Sequence, residues 1–136
     1  MGCGIVQFLL DTDTCIYAIK KRSRKLNAKI ESEPDKLAVS TVSLFELYFG
    51  ASRYDNPEQR HELIEEFLSN IAILPFDQNC SKVAGLLRYE LAQRGKLIGP
   101  FDIQIAATAL NHNLTLVTGN TREFSRIDGL HIETWR

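Results

Sequence analysis

The chain is poor in the residues that mark specialised protein classes. Its 136 residues include 3 Cys, 1 Met, 1 Trp and 4 Pro. Cys3, Cys15 and Cys80 are odd in number and widely spaced, so they form neither a disulfide framework nor a CxxC metal pair. Reduced thiols in a cytoplasmic protein are the expectation. His61, His112 and His131 lack the spacing of zinc ligands. No run approaches the roughly 18 apolar residues of a membrane-spanning helix, so no membrane partner is expected. The opening MGCGIVQFLL has no basic residue ahead of its apolar run and makes a poor secretory leader. Val6 stands where a myristoylation start needs Ser or Thr. The segment reads as a short irregular lead into a first strand. Disorder is excluded by a composition that is 44% hydrophobic and 24% charged.

What is present suggests one ordinary domain over residues 1–136, since domains usually span about 100–200 residues. The net charge of −1 conceals an asymmetry. Between Thr14 and Ile30 lie Lys20, Lys21, Arg22, Arg24, Lys25 and Lys29, with no acid among them. A local basic stretch on a mildly acidic body suits contact with a polyanion, or else a solvated helix face.

Apolar strands alternate with helical segments throughout. Ile5–Leu10, Leu37–Ser40, Ile71–Phe76, Leu114–Thr118 and Leu130–Thr134 read as strands. Thr14–Lys21, Ser23–Glu33, Ser43–Arg53, Asn56 to about Ser69, Asn79–Arg94 and Gly99 to about Asn111 read as helices. Pro34 ends the second helix, and Gly95 suits the end of the fifth. Such alternation implies an α/β fold with a parallel sheet covered on both faces. Ligands of such sheets bind beyond the carboxyl ends of the strands.

Three carboxylates occupy places where apolar residues are expected. Asp11 ends the first strand after Phe8-Leu9-Leu10. Asp102 falls in the first turn of the Pro100 helix and shares a face with Ile105, Ala106 and Ala109 at helical spacing. Glu46 sits within the apolar segment Leu44–Phe49, one turn before Gly50. Each has a structural reading as well. Asp11 could cap the next helix, Glu46 could complete a capping box with Ser43, and Asp102 could complement a helix dipole. Capping does not explain three acids aimed into apolar surroundings. Bringing ionised carboxylates together is costly, and a divalent cation relieves that cost. Oxygen ligands without nearby Cys or His favour magnesium or manganese over zinc. Such a site suits phosphodiester hydrolysis, with the basic stretch holding a nucleic-acid backbone.

The chain resembles PIN-domain ribonucleases, specifically the VapC-type toxins of bacterial toxin–antitoxin pairs. The resemblance rests on FLLDTDTCIYAIK, STVSLFELYFGA, GPFDIQIAATAL and LVTGNTREFSRIDGLHIETW, which follow in the family's order along nearly the whole chain. It implies a three-layer α/β/α sandwich around about five parallel strands ordered 3-2-1-4-5. It also implies a Mg2+- or Mn2+-dependent endoribonuclease that blocks translation by cutting RNA, often tRNA. A homodimer and a small VapB-type antitoxin are the implied partners, with the antitoxin's tail covering the site. By the resemblance, Asp11 and Asp102 are metal ligands. Glu46 is a third catalytic acid, either a metal ligand through water or the residue that orients the attacking water. Lys20, Lys21, Arg22 and Arg24 are the residues expected to bind RNA, while Thr118 and Asn120 give polar support. Two departures stand out. Gly119, Asn120 and Thr121 lie where many PIN domains carry a fourth aspartate, and Asp13 replaces a common Asn.

Two other readings fit part of the pattern. Asp11-Thr12-Asp13-Thr14 matches the first motif of haloacid-dehalogenase-type phosphatases, with Asp11 as nucleophile and Asp13 as general acid. That fold needs an acidic pair after a later strand, where Thr118-Gly119-Asn120 offers none. A non-catalytic nucleic-acid or protein-binding module would use the basic stretch but leave the three acids unexplained.

Overall fold

A computed structural model describes residues 5–136; Cys3 and most of the lead before the first strand lie outside the described residues. The central sheet consists of β1 (Phe8–Leu10), β2 (Leu37–Ser40), β3 (Ala72–Leu74), β4 (Thr115–Val117) and β5 (Ile132–Glu133). Its order is β3-β2-β1-β4-β5, with every neighbouring pair parallel. Between the strands run α1 (Thr12–Ile19), α2 (Arg24–Ser32), α3 (Thr41–Ala51), α4 (Pro57–Leu68), α5 (Gln78–Gln93), α6 (Pro100–Asn111) and the one-turn α7 (Thr121–Phe124).

Strand alternation divides the core into two layers. Leu9, Ala38 and Leu116 pack on one side with Leu87 and Leu91 of α5 and Ile105 and Ala106 of α6. Leu10, Val39 and Val117 face the other way, against Cys15 and Ala18 of α1, Leu26 of α2 and Leu47 of α3. Leu9, Leu10, Ala38 and Val39 have no exposed surface, as a central strand pair covered on both faces requires.

β2 is as expected, but β1 begins late, where Ile5 is 74% exposed, and β3, β4 and β5 lose residues at both ends. Polar residues at the carboxyl ends of β1 and β2 start the following helices. Asp11 caps α1 through a 2.9 Å bond from the Thr14 amide, and Ser40 caps α3 through a 3.0 Å bond from Val42. The third helix therefore begins at Thr41 rather than Ser43. Ser43 is thus internal to α3 and does not form a capping box with Glu46. Gly95 takes φ +65° after α5, where a side chain would be strained, and ends that helix as expected.

Candidate active site

β1 and β4 are adjacent, and α1 and α3 leave the carboxyl ends of β1 and β2. That arrangement draws residues from distant segments to one end of the sheet. A cleft of about 540 Å³ opens there, lined by Asp11, Asp13, Glu46, Asp102 and Asn120 among others. The three acids singled out in the sequence therefore meet in one cavity. They are not equally buried. Asp11 is 4% exposed, whereas Glu46 and Asp102 are half-buried. The segment around Glu46 is not buried all round either, because Phe45 and Phe49 point outward.

Asp11 both caps α1 and faces the cleft. Burial pushes its carboxyl above the ordinary range, against hydrogen bonds from Thr118 and Thr14, while Asp13 adds repulsion. Thr118 is fully buried and also accepts a 2.9 Å bond from the Asn120 amide. Glu46 is fixed from α1: the Thr12 hydroxyl donates to its Oε1 at 2.5 Å and lies 2.9 Å from the Ser43 hydroxyl. Asp102 is raised to about 6, first by burial and then by repulsion from Asp11, Glu46, Glu123 and Asp13. Every one of these influences acts in the same direction. Among the described residues, the two ion pairs, Lys36–Glu33 and Arg94–Asp128, involve no acid of the cleft.

Glu123 was not among the expected site residues. It lies beyond the end of β4 in sequence, but the single turn of α7 brings it back within electrostatic reach of Asp102. Asn120 donates to its Oε1 at 3.0 Å. The Asn120-Thr121-Arg122-Glu123 spacing, a capping residue followed three places later by Glu, is the signal that marks this turn.

The donor set suits a hard divalent cation. It consists of carboxylate oxygens, and no His or Cys lines the cleft. Cys15 is buried behind Asp11, and burial together with that charge pushes its thiol well up, away from the thiolate a metal would need. Among the described residues, no three His, Cys, Asp or Glu side chains form a ready-made metal cage. Magnesium does not require one, since it is usually held by one or two carboxylates and keeps several waters.

The basic residues divide into two groups. Lys20, Lys21, Arg22 and Arg24 are all exposed. Lys20 lines an aliphatic groove between α1, α3 and α4, whereas Lys21, Arg22 and Arg24 line neither that groove nor the cleft. Arg53, which the sequence did not single out, lines both.

Comparison with known proteins decides the family. The PIN domain model matches residues 8–130. The chain belongs to the PIN-domain family. Within it, the chain is 39% identical over 131 residues to the tRNA(fMet)-specific endonuclease VapC of Shigella flexneri, covering 96% of this chain and 99% of the relative. It is 38% identical over 131 residues to ribonuclease VapC2 of Haemophilus influenzae, covering 96% and 99%. Its fold matches the DNA-bound VapBC structure from Salmonella typhimurium with a TM-score of 0.93 at 36% identity, covering 97% of this chain and 100% of that one. This PIN domain is therefore a VapC-type ribonuclease, and the phosphatase and non-catalytic readings fall away. The strand order expected from the resemblance is the order observed.

Proposed function

We propose that this protein is the toxin of a toxin–antitoxin pair, an endoribonuclease that uses Mg2+ or Mn2+ to cut tRNA and so stops translation. The observation that carries the reading is the meeting of Asp11, Glu46 and Asp102 in one cleft, with Glu123 within electrostatic reach of Asp102 and, among the described residues, no ion pair to any of them. Arg53 lines the cleft without pairing with these acids, so among the described residues the cluster is suited to receive a cation. Asp11 and Asp102 would hold the metal, with Glu123 near Asp102. Bound there, the cation would screen the phosphate charge and acidify water. Thr118 and Thr14 keep Asp11 oriented. Thr12 holds Glu46, which accepts the proton of the attacking water. Lys20, Lys21, Arg22 and Arg24 extend the contact along the RNA backbone.

The tRNA substrate and the VapB-type antitoxin rest on similarity to the VapC endonucleases and VapBC complexes. Exposed Leu86 and Tyr89, one turn apart on α5, support self-association. The cytoplasm is the proposed site of action; among the described residues no helix is long and apolar enough to cross a membrane.

The test is incubation of antitoxin-free protein with total tRNA and Mg2+ or Mn2+. Discrete cleavage is expected, abolished by EDTA and by Asp11→Asn. Cleavage that persists in either condition would reject the mechanism.

A further inference from the structure

The rim of the acid cleft is aromatic. Phe45 is 57% exposed, Phe49 60% and Phe101 40%. Leaving such rings in water forfeits the free energy that burying their apolar surface would release. Phe45 and Phe101 come from different helices, yet their centroids lie 5.6 Å apart with planes tilted by 57°. Each directly precedes a cleft acid, Glu46 or Asp102. Turns of α3 and α6 thus carry a carboxylate into the cleft and a ring onto its edge. Arg53 lines the same cleft, with its guanidinium 5.6 Å from the Phe49 ring centroid.

We propose that Phe45 and Phe101 together form an aromatic platform for one unpaired nucleobase, which stacks on one ring while the tilted second ring meets its edge, with Arg53 taking an adjoining phosphate. The proposal rests on the ribonuclease reading and specifies which side chains seat the nucleotide. A base in a duplex has both faces covered by its neighbours, so only a loop or extruded nucleotide can offer a face to these rings. Stacking on an aromatic side chain is tolerant of base identity, and a guanidinium suits a phosphate. A nucleotide seated this way brings its phosphodiester to the cleft where Asp11 and Asp102 would hold the cation. An apolar peptide is the competing occupant of exposed rings. The neighbouring groove, which shares Ile16, Glu46, Gly50 and Arg53 with the cleft, offers it a better seat among the aliphatic side chains Ile19, Leu47, Leu63 and Ile64.

The experiment uses the full chain carrying Asp11→Asn, so that binding is read without cleavage. Its probes are a labelled RNA hairpin with an unpaired loop and a fully paired duplex of equal length. Phe45→Leu with Phe101→Leu keeps apolar bulk and removes both rings. The hairpin Kd is expected to rise about tenfold or more, as removal of one stacking surface implies, with the duplex Kd unchanged. A 2-aminopurine in the loop should lose its quenching, and Phe45→Trp in place of Phe45→Leu should restore it. In the active protein the same pair should raise KM more than it lowers kcat. Unchanged hairpin binding, or equal weakening for hairpin and duplex, overturns the platform. So does a variant that binds RNA normally but loses its antitoxin. Wild-type cleavage of tRNA is measured alongside. Its absence sinks the ribonuclease reading, whereas cleavage with unaltered hairpin binding by the double variant sinks the platform alone.

Discussion

Asp102 is held ionised at neutral pH against burial and the four acids that repel it. Its carboxyl rises from 3.8 to about 6 on folding, so the native state binds the proton more tightly than the unfolded chain. The penalty is full above pH 6 and disappears as pH falls toward the unfolded value. In EDTA near neutral pH, Asp102→Asn should therefore raise stability. The shift corresponds to about 3 kcal/mol, reduced to about 1–2 kcal/mol because the group is partly solvated. The variant's advantage should shrink as pH drops from 6 to 4 in urea titrations. Saturating Mg2+ should raise the wild-type Tm and leave that of Asp102→Asn nearly unmoved, since only an intact ligand set binds the ion. An advantage independent of pH would show that the carboxylate is not under charge strain. Asp11 and Asp102 were legible because an acid on a sheet-facing surface breaks an otherwise apolar pattern. Glu123 was not, because its neighbours Arg122 and Ser125 give it the look of an ordinary surface residue.

At the level of elements, the cap of α1 and the chemistry of the cleft share one side chain. Asn caps a helix about as well as Asp, whereas Ala leaves the Thr14 amide without its partner. Asp11→Asn and Asp11→Ala should both abolish cleavage. Thermal or urea unfolding should show the Ala variant about 1 kcal/mol less stable than the Asn variant. Equal stabilities would mean that the cap contributes nothing. Helix and strand types were readable from periodicity. The boundaries moved where local surroundings decide them: Ser40 starts α3 early, and β1 begins only at Phe8, after the exposed Ile5. The turn of α7 escaped notice because four residues are too few to show a helical period.

For the whole molecule, the charge asymmetry makes a separate prediction. The basic residues Lys20, Lys21, Arg22 and Arg24 are exposed and lie outside the acid cleft. Neutralising all four should weaken RNA binding across sequences. It should also lower the slope of log K against log salt by about one for each phosphate no longer neutralised, as measured by titration at several salt concentrations. An unaltered slope would make this stretch a solvated face. The layered architecture was legible because parallel strands buried on both faces leave a distinctive run of apolar residues. The convergence of the acids follows from strand order, which periodicity alone does not specify.

That order also governs when the molecule becomes dangerous. β4 pairs directly with the innermost strand β1, and Glu123 follows β4 near the far end of the chain. No fragment lacking β4 and α7 contains the complete quartet of carboxylates or the neighbour that completes β1. On the proposed reading, a nascent chain therefore stays unarmed until β4 and α7 have been made and have docked beside β1.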